Sequence, residues 1–200
     1  MNFKKKFLPK TYFKRIDITK TSEAMHLLAE LIKEIGGMDV IVISAGVGSI
    51  NPDLNWTQEK EAIDVNISGF TAMANVAFKH FCKQGSGQIV GISSIAAIRS
   101  SGDSPAYSAS KAFVSNYLEG LRQKTIKLKI PIIVTDIQPG FVNTAMAKGE
   151  GQFWVASPEK AAKQIFKAID GKRKHAYITK RWRIIAWLLK IMPAWLHNKL

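Results

Sequence analysis

The sequence of 200 residues predicts a single α/β domain built on a doubly wound parallel sheet. Runs dominated by Val and Ile at residues 39–44, 87–92 and 131–138 are typical of parallel strands that helices cover on both faces. Long helical patterns separate these runs, and strands that alternate with such helices form right-handed βαβ units. We therefore expect a sheet buried on both sides, with ligands bound in the loops after its strands.

Each element has its own local signal. A short strand is predicted at residues 12–17, and the helix that follows is ended by Gly36 and Gly37. Ser157 as N-cap and Pro158 at the first helical position begin a later helix. The periodic helical patterns cover residues 22–35, 57–81 and 105–126. The predicted order is βαβαβαβα.

Composition limits the class of protein. An apolar content of 46% in 200 residues supports one sizeable core, and a second full domain is not expected. Cys82 is the single cysteine, so an internal disulfide and a multi-cysteine metal site are excluded. We expect Cys82 to pack in the interior of a protein of the reducing cytoplasm, because residues 1–10 lack the apolar run of a signal peptide.

The net charge of +14 points to an anionic partner, which could be nucleic acid, a membrane surface or a polyanionic cofactor; solubility alone is the plain alternative. No helix-turn-helix, zinc or base-stacking pattern accompanies the charge, so nucleic acid is not expected. The cations crowd the two ends of the chain, at Lys4, Lys5, Lys6, Lys10, Lys14, Arg15, Lys172, Arg173, Lys174, Lys180, Arg181 and Arg183.

The last twenty residues form a distinct segment, and we divide the chain into a domain at 1–180 and a tail at 181–200. The tail has no acidic residue and combines cations with Trp182, Trp187 and Trp195, which predicts a basic amphipathic helix that Pro193 kinks or breaks. It is too short to span a bilayer. Two interpretations stay open: peripheral contact with the inner face of a membrane, or packing on the domain or another subunit.

The loop residues carry the candidate chemistry. Tyr107 and Lys111 are four residues apart and therefore share one helix face. An ammonium beside a phenol stabilises the phenolate and lowers the tyrosine pKa towards the range of efficient proton transfer. The pair alone is weak, since an ordinary helix surface of a lysine-rich chain also produces it.

The wider pattern is more specific. Tyr107-Ser108-Ala109-Ser110-Lys111 begins thirteen residues after Ser94 and resembles the Tyr-x-x-x-Lys and serine motifs of the short-chain dehydrogenase/reductase family, which has a Rossmann-like fold. Asn66 in its Asn-Ile-Ser-Gly context, Asp17 in Asp-Ile-Thr, and Pro139-Gly140 also match that family in order and spacing. The resemblance covers residues 11 to about 180.

The resemblance implies hydride transfer between NADP or NAD and a small carbonyl or alcohol substrate. Tyr107 would pass the proton, Ser94 would bind the substrate oxygen, and Lys111 would hold the ribose and lower the tyrosine pKa, with Asn66 holding a water of the proton relay. The family's cofactor contacts correspond to Asp17, Ile18, Ser44, Ala45, Gly46, Tyr107, Lys111, Pro139, Gly140, Val142 and Thr144.

Two departures qualify this expectation. The smaller is Ser44, where the family commonly has asparagine. The larger is a truncation: the family's first strand and Gly-x-x-x-Gly-x-Gly turn have no counterpart before Thr11, which removes the expected pyrophosphate site and leaves strand 12–17 without an obvious partner. The turn at Gly46 and Gly48 is not followed by a helix and is not expected to replace that site. A catalytically silent fragment that serves as an interaction or membrane-surface module is the alternative.

The substrate region is predicted to be apolar. Met146, Phe153 and Trp154 lie within residues 145–156 and suggest a lid over a hydrophobic pocket, hence a hydrophobic or lipid-like carbonyl substrate. The family resemblance also implies a homo-oligomer paired through the two long helices.

Overall fold

The computed structural model describes residues 10–144 and 152–197. Its centre is a four-stranded parallel sheet in the order β1-β2-β3-β4. The strands are β1 (Val40–Ile43), β2 (Gly87–Ile92), β3 (Ile132–Pro139) and β4 (His175–Ile178). The helices are α1 (Thr21–Glu34), α2 (Trp56–Ile63), a π-helical turn (Asp64–Gly69), α3 (Phe70–Gln84), a 3₁₀ turn (Ile95–Ala97), α4 (Pro105–Leu128), α5 (Pro158–Asp170), α6 (Trp182–Ile191) and α7 (Ala194–His197).

Several helix boundaries follow from local capping. The Asn55 side chain accepts hydrogen bonds from the amides of residues 57 and 58 and so begins α2. Ser157 caps α5 through the Lys160 amide, with Pro158 next to it, which confirms the predicted start. Gly85 ends α3 with a φ of +87°, a left-handed conformation that glycine adopts without steric cost.

The core consists of two layers on opposite faces of the sheet. On one face α1, α3 and α4 pack on β1 to β3 through residues such as Leu28, Phe81, Ile89 and Leu118. On the other face α5 packs on β2 to β4, around Val90. Neighbouring residues of one strand thus enter different layers, as the alternation of a β-strand requires. Cys82 is partly buried against the first layer, as expected.

The expectation of burial on both faces is wrong at β1. Val40 and Val42 are 42% and 45% exposed, whereas Ile43 on the other face is buried. Val42 lies opposite Val90 in the register, on the face that α5 covers. Among the described residues α5 packs only on β2 to β4, so nothing shields this side of β1.

Three other expectations need correction. Residues 12–17 are not a strand; Ile16 instead packs on the larger core and leads into α1. The helix predicted at 57–81 runs from residue 56 to residue 84, but a π-helical turn interrupts it. Strand β4 was not predicted, because its four residues carry no clear apolar pattern. Within residues 10–144 and 152–197 no helix is long and apolar enough to cross a membrane.

Candidate active site

Ser94 lies where β2 ends. Its backbone is extended, with a φ of −167°, and its hydroxyl accepts a hydrogen bond of 3.1 Å from the Ala96 amide at the start of the 3₁₀ turn. The preceding residue is anchored to the neighbouring strand, since the Ser93 amide donates to the Ile137 carbonyl over 2.9 Å. The serine side chain is therefore held at the carboxyl edge of the sheet, where ligands are expected.

The first two turns of α4 bring the other predicted residues to this edge. Tyr107 is partly buried and hydrogen-bonds the Ser94 side chain. The Lys111 ammonium lies 5.7 Å from the centre of the Tyr107 ring and donates a 3.2 Å hydrogen bond to the Ile92 carbonyl on β2. Ser94, Tyr107 and Lys111 thus converge although they come from two different elements.

Burial dominates the electrostatics of this group. It lowers the pKa of Lys111 to about 8, because the buried ammonium loses its hydration. Burial also raises the pKa of Tyr107, and the hydrogen bond with Ser94 opposes this increase. The net shift of the Tyr107 pKa is upward, because desolvation disfavours the phenolate; the lowering of this pKa by Lys111 stays a prediction.

Asn66 ties the loop after β1 to α4. Its side-chain oxygen accepts from the Val47 amide at 2.9 Å, while its Nδ2 donates to the Val47 carbonyl at 2.8 Å and to the Ser110 hydroxyl at 2.9 Å. The side chain is buried and sits in the π-helical turn, a distortion that often marks functional sites. These contacts give Asn66 a positioning role; the relay water that the family implies would have to use other atoms.

Gly46 and Gly48 lie directly against the side chains of Lys111 and Tyr107. A Cβ at Gly46 would lie 2.9 Å from Lys111 Nζ, and a Cβ at Gly48 would lie 2.6 Å from Cδ2 of the Tyr107 ring. These glycines therefore make room for the reactive side chains rather than for a phosphate. The next helix, α2, starts only at Trp56. Ser44 and Ala45, ahead of them, are exposed at the end of β1.

The Pro139-Gly140 loop carries a feature that the sequence did not reveal. The Trp182 indole covers it so closely that a Cβ at Gly140 would lie 2.0 Å from Cε2 of the ring. Trp182 is 2% exposed and stacks on Phe153 at 5.0 Å between ring centres, with Phe141 edge-on at 5.4 Å. No local pattern links a tryptophan to a glycine forty-two positions earlier, so only the fold shows this pair.

The remaining residues of the loop differ in their surroundings. Val142 forms a parallel β-bridge with Ala156, and Thr144 is exposed. Of the predicted lid, Phe153 and Trp154 join the aromatic group around Trp182. Met146 lies outside the described residues.

Asp17 and Ile18 lie near the start of the described residues. Ile18 packs against the π-helical turn that contains Asn66. A Cβ at Gly69 of that turn would lie 2.8 Å from the Ile18 side chain. The Asp17 carboxylate accepts hydrogen bonds from the Thr19 hydroxyl at 2.7 Å and the Thr19 amide at 3.1 Å, which lower the Asp17 pKa. The structure thus places Ile18 beside the Asn66 turn and leaves Asp17 exposed.

A buried carboxylate next to the site was also missed. Asp136 on β3 is 2% exposed and accepts hydrogen bonds from Ser93 at 2.5 Å, Ser115 at 2.6 Å and Gln138 at 3.2 Å. Ser93 precedes the catalytic candidate Ser94, and Ser115 is one turn beyond Lys111. Asp136 therefore joins the serine loop to the helix that carries Tyr107 and Lys111.

The described residues fit the nicotinamide and ribose part of a nicotinamide dinucleotide, but not its pyrophosphate. Lys111 is a buried donor whose ammonium faces the small residue Gly46, which suits a ribose hydroxyl, and Tyr107 lies beside it. The pyrophosphate half has no equivalent support, because no glycine-rich turn leads directly into a helix N-terminus in residues 10–144 and 152–197.

Comparison with known proteins agrees with this geometry. The family described as short chain dehydrogenase matches residues 3–153, three quarters of the chain. This chain belongs to the short-chain dehydrogenase family. It is 35% identical over 134 residues to an uncharacterized oxidoreductase of Myxococcus xanthus (strain DK1622), a match that covers 66% of this chain and 52% of that protein.

Other members of the short-chain dehydrogenase family give the same result. An uncharacterized oxidoreductase of Staphylococcus aureus (strain MRSA252) is 34% identical over 132 residues, covering 65% of this chain and 56% of that protein. The chain thus spans about half the length of these curated relatives.

Solved structures confirm the fold. A short chain dehydrogenase from Burkholderia cenocepacia J2315 in complex with NADP superimposes with a TM-score of 0.79 at 22% identity, over 93% of this chain and 79% of that one. A short chain dehydrogenase/reductase from Burkholderia phymatum in complex with NAD gives 0.77 at 18% identity, over 88% and 73%. The predicted α/β, Rossmann-like class is confirmed.

Proposed function

We propose that this protein is an NADP- or NAD-dependent oxidoreductase that interconverts a carbonyl and an alcohol. The observation that carries the proposal is the convergence of Ser94, Tyr107 and Lys111, with a hydrogen bond between the tyrosine and serine side chains and a buried lysine beside them. This arrangement combines a proton donor, a hydrogen-bonding hydroxyl and a cation at the carboxyl edge of a parallel sheet.

The three side chains have distinct roles in this proposal. When bound, the nicotinamide supplies or accepts the hydride at the substrate carbon. Tyr107 donates its phenolic proton to the carbonyl oxygen in reduction and takes it back in oxidation. Ser94 orients the same oxygen by a hydrogen bond, and Lys111 donates to the ribose. Because burial raises the Tyr107 pKa, the phenol stays protonated at neutral pH, which favours its action as an acid in reduction.

The proposed substrate is hydrophobic or lipid-like. Phe141, Phe153, Trp154 and Trp182 form an aromatic group at the Pro139-Gly140 loop, on the side where the family's cofactor contacts lie. Aromatic walls with few polar groups select apolar ligands. Such a substrate would need hydrogen bonds only at its one reacting oxygen, which Ser94 and Tyr107 would bind.

The proposed partners follow the same line. We infer a homo-oligomer and a location in the cytoplasm, with the C-terminal helix at the surface of a membrane. The +14 charge and the exposed Trp187 of α6 support this peripheral contact.

The test is a thermal-shift titration of the full chain with NADPH and with NADH, followed by an assay for oxidation of the reduced cofactor with hydrophobic ketones. A ligand that binds only the folded state raises the melting temperature, so a saturable shift supports the proposal. The variant Tyr107→Phe should keep the shift and lose about a hundredfold or more in rate. Tyr117→Phe, on the same helix but packed between Phe70 and Phe113, is the matched control.

The same titration decides between this proposal and a silent interaction module. The module is favoured by one observation, the lack of a glycine turn that could hold a pyrophosphate in the described residues. A cooperative melting transition that neither cofactor shifts would support the module and contradict the oxidoreductase.

A further inference from the structure

Helix α6 is apolar on two opposite faces. Its inner face packs on the domain, where Trp182 and Ala186 are 2% and 1% exposed. Its outer face is a second stripe, formed by Ile184, Trp187, Leu188 and Ile191, whose exposed fractions are 59%, 60%, 41% and 57%. These four residues have the i, i+3, i+4, i+7 spacing of one continuous helix face. The inner face accounts for the docking of α6, whereas the outer stripe stays exposed within residues 10–144 and 152–197.

The helix is held firmly in this orientation. Arg99, from the segment just after the 3₁₀ turn, donates to the Leu189 carbonyl at 3.1 Å and to the Met192 carbonyl at 2.7 Å. These bonds satisfy carbonyl groups that a helix C-terminus otherwise leaves without partners. With Trp182 buried at the other end, α6 is fixed at both ends and presents the outer stripe on a rigid support.

The charged side chains of α6 and of the sequence on either side of it are all cationic. No aspartate or glutamate occurs from Gly171 to the end of the chain. On α6 itself, Arg183 and Lys190 are exposed and lie two turns apart on one flank of the stripe. From Gly171 to the end of the chain the sequence carries eight lysines and arginines, which are Lys172, Arg173, Lys174, Lys180, Arg181, Arg183, Lys190 and Lys199.

We propose that the outer stripe of α6 is a docking surface for an anionic lipid bilayer. An exposed apolar stripe flanked by cations matches the membrane interface, where apolar side chains enter the acyl boundary, an indole lies at headgroup depth and cations meet lipid phosphates. The ten residues of α6 are too few to span the bilayer, so the helix would lie in its plane.

The charges argue against a second copy of the chain as the occupant. A symmetric contact through this stripe would bring Arg183 and Lys190 of both copies together with no acidic residue of α6 to offset them. Like charges in such a contact are destabilising. A bilayer that contains anionic lipid supplies the complementary charge instead.

The test is co-sedimentation of the full chain with vesicles, which needs neither cofactor nor substrate and therefore stands apart from the proposed activity. We expect binding to vesicles of phosphatidylcholine with about 30% phosphatidylglycerol and little binding to phosphatidylcholine alone, because each cation near an anionic surface contributes about fivefold in affinity. Trp187 reports insertion directly. Its emission, taken as the difference between the wild type and Trp187→Phe, should shift to shorter wavelength on binding.

Matched variants separate the stripe from general charge and hydrophobicity. Leu188→Ser with Ile191→Ser should weaken binding about tenfold, since less apolar surface enters the interface. Ile126→Ser with Phe166→Ser removes equally exposed apolar side chains on α4 and α5, 71% and 66% exposed, and should leave vesicle binding unchanged.

The charge is tested in the same way. Arg183→Glu with Lys190→Glu should abolish binding to the vesicles. Lys163→Glu with Lys167→Glu makes the same change in net charge on α5 and should reduce binding only slightly. Circular dichroism verifies that each variant is folded.

Four results would overturn the proposal. The first is wild-type protein that stays in the supernatant with anionic vesicles. The second is equal binding by the α6 and control variants, which would reduce the effect to net charge. The third is a dimer in light scattering that the Leu188→Ser and Ile191→Ser changes dissociate, which would assign the stripe to another copy. Trp187 emission that is already shifted without vesicles would mean that another segment of the chain covers it, and would also refute docking.

Discussion

The buried ammonium of Lys111 makes protein stability depend on pH in a window that can be measured without any activity. The folded-state pKa of Lys111 is about 8, against 10.5 for the unperturbed side chain, and desolvation causes the difference. Between these two values the unfolded chain binds more protons than the folded chain. Stability therefore rises as pH rises through this window, and the gain is lost as pH falls through the folded pKa.

The magnitude follows from the shift. Integrated between about pH 7 and pH 10, the linkage amounts to about 2 kcal/mol of added unfolding free energy for a pKa of about 8. Lys111→Met keeps the length and removes the titrating group, so its stability should lack this rise. At neutral pH the variant should match or exceed the wild type, because the lost hydrogen bond to the Ile92 carbonyl contributes only about 1 kcal/mol.

The assay is urea unfolding, followed by circular dichroism at several pH values below about 10, where the raised pKa of Tyr107 does not yet contribute. Lys163→Met, an exposed lysine of α5, is the control and should run parallel to the wild type. If the wild type and Lys111→Met change stability equally across the window, Lys111 is not buried as an ammonium, and the electrostatic account of the site is refuted.

Two further predictions concern the contacts that support the site. Asp136→Ala should lower the unfolding free energy by about 3 kcal/mol, because the Ser93 and Ser115 hydroxyls lose a buried acceptor. In urea titrations, the double variant with Ser115→Ala should lose less than the sum of the two single losses. Fully additive losses would contradict a shared hydrogen-bond network. Gly140→Ala should cost about 2 kcal/mol, since the new methyl group overlaps the Trp182 ring. Trp182→Leu should relieve that cost in the double variant, and an undiminished cost would place the strain elsewhere.

The motif residues were accessible from sequence because each follows a recognisable element. Ser94 comes two residues after the end of a six-residue strand, and Tyr107 and Lys111 occupy the first two turns of a helix that begins at a proline. Strand order then brings such loops to one edge of a parallel sheet. Spacing along the chain could therefore predict that these side chains meet, although not their electrostatics: the direction of the Tyr107 pKa depends on how deeply the ring is buried.

The contacts that were missed join residues far apart in the chain. Asp136 meets Ser93 across forty-three positions, and Arg99 reaches the end of α6 across ninety. A serine, an aspartate or an arginine has no local periodicity that distinguishes a buried partner from a solvated side chain. The π-helical turn was missed for a related reason, since its six residues continue the same helical pattern on both sides.

The prediction that both faces of the sheet are buried is wrong at β1, and the elements that cover this strand explain why. Val40, Ile41, Val42 and Ile43 carry apolar side chains in both directions, a composition suited to burial on both faces. In the described fold, α1 and α3 cover the side that holds Ile43, and the two valines stay nearly half exposed. Within the part of the chain that the structure describes, β1 is also an edge of the sheet, and its outer backbone groups have no strand beside them. An apolar, unpaired edge favours association with another strand, and nothing in β1 itself carries a charge that would oppose this. Val42→Lys should therefore improve solubility at little cost in stability, because Val42 is nearly half exposed and a charge on an edge strand opposes such association.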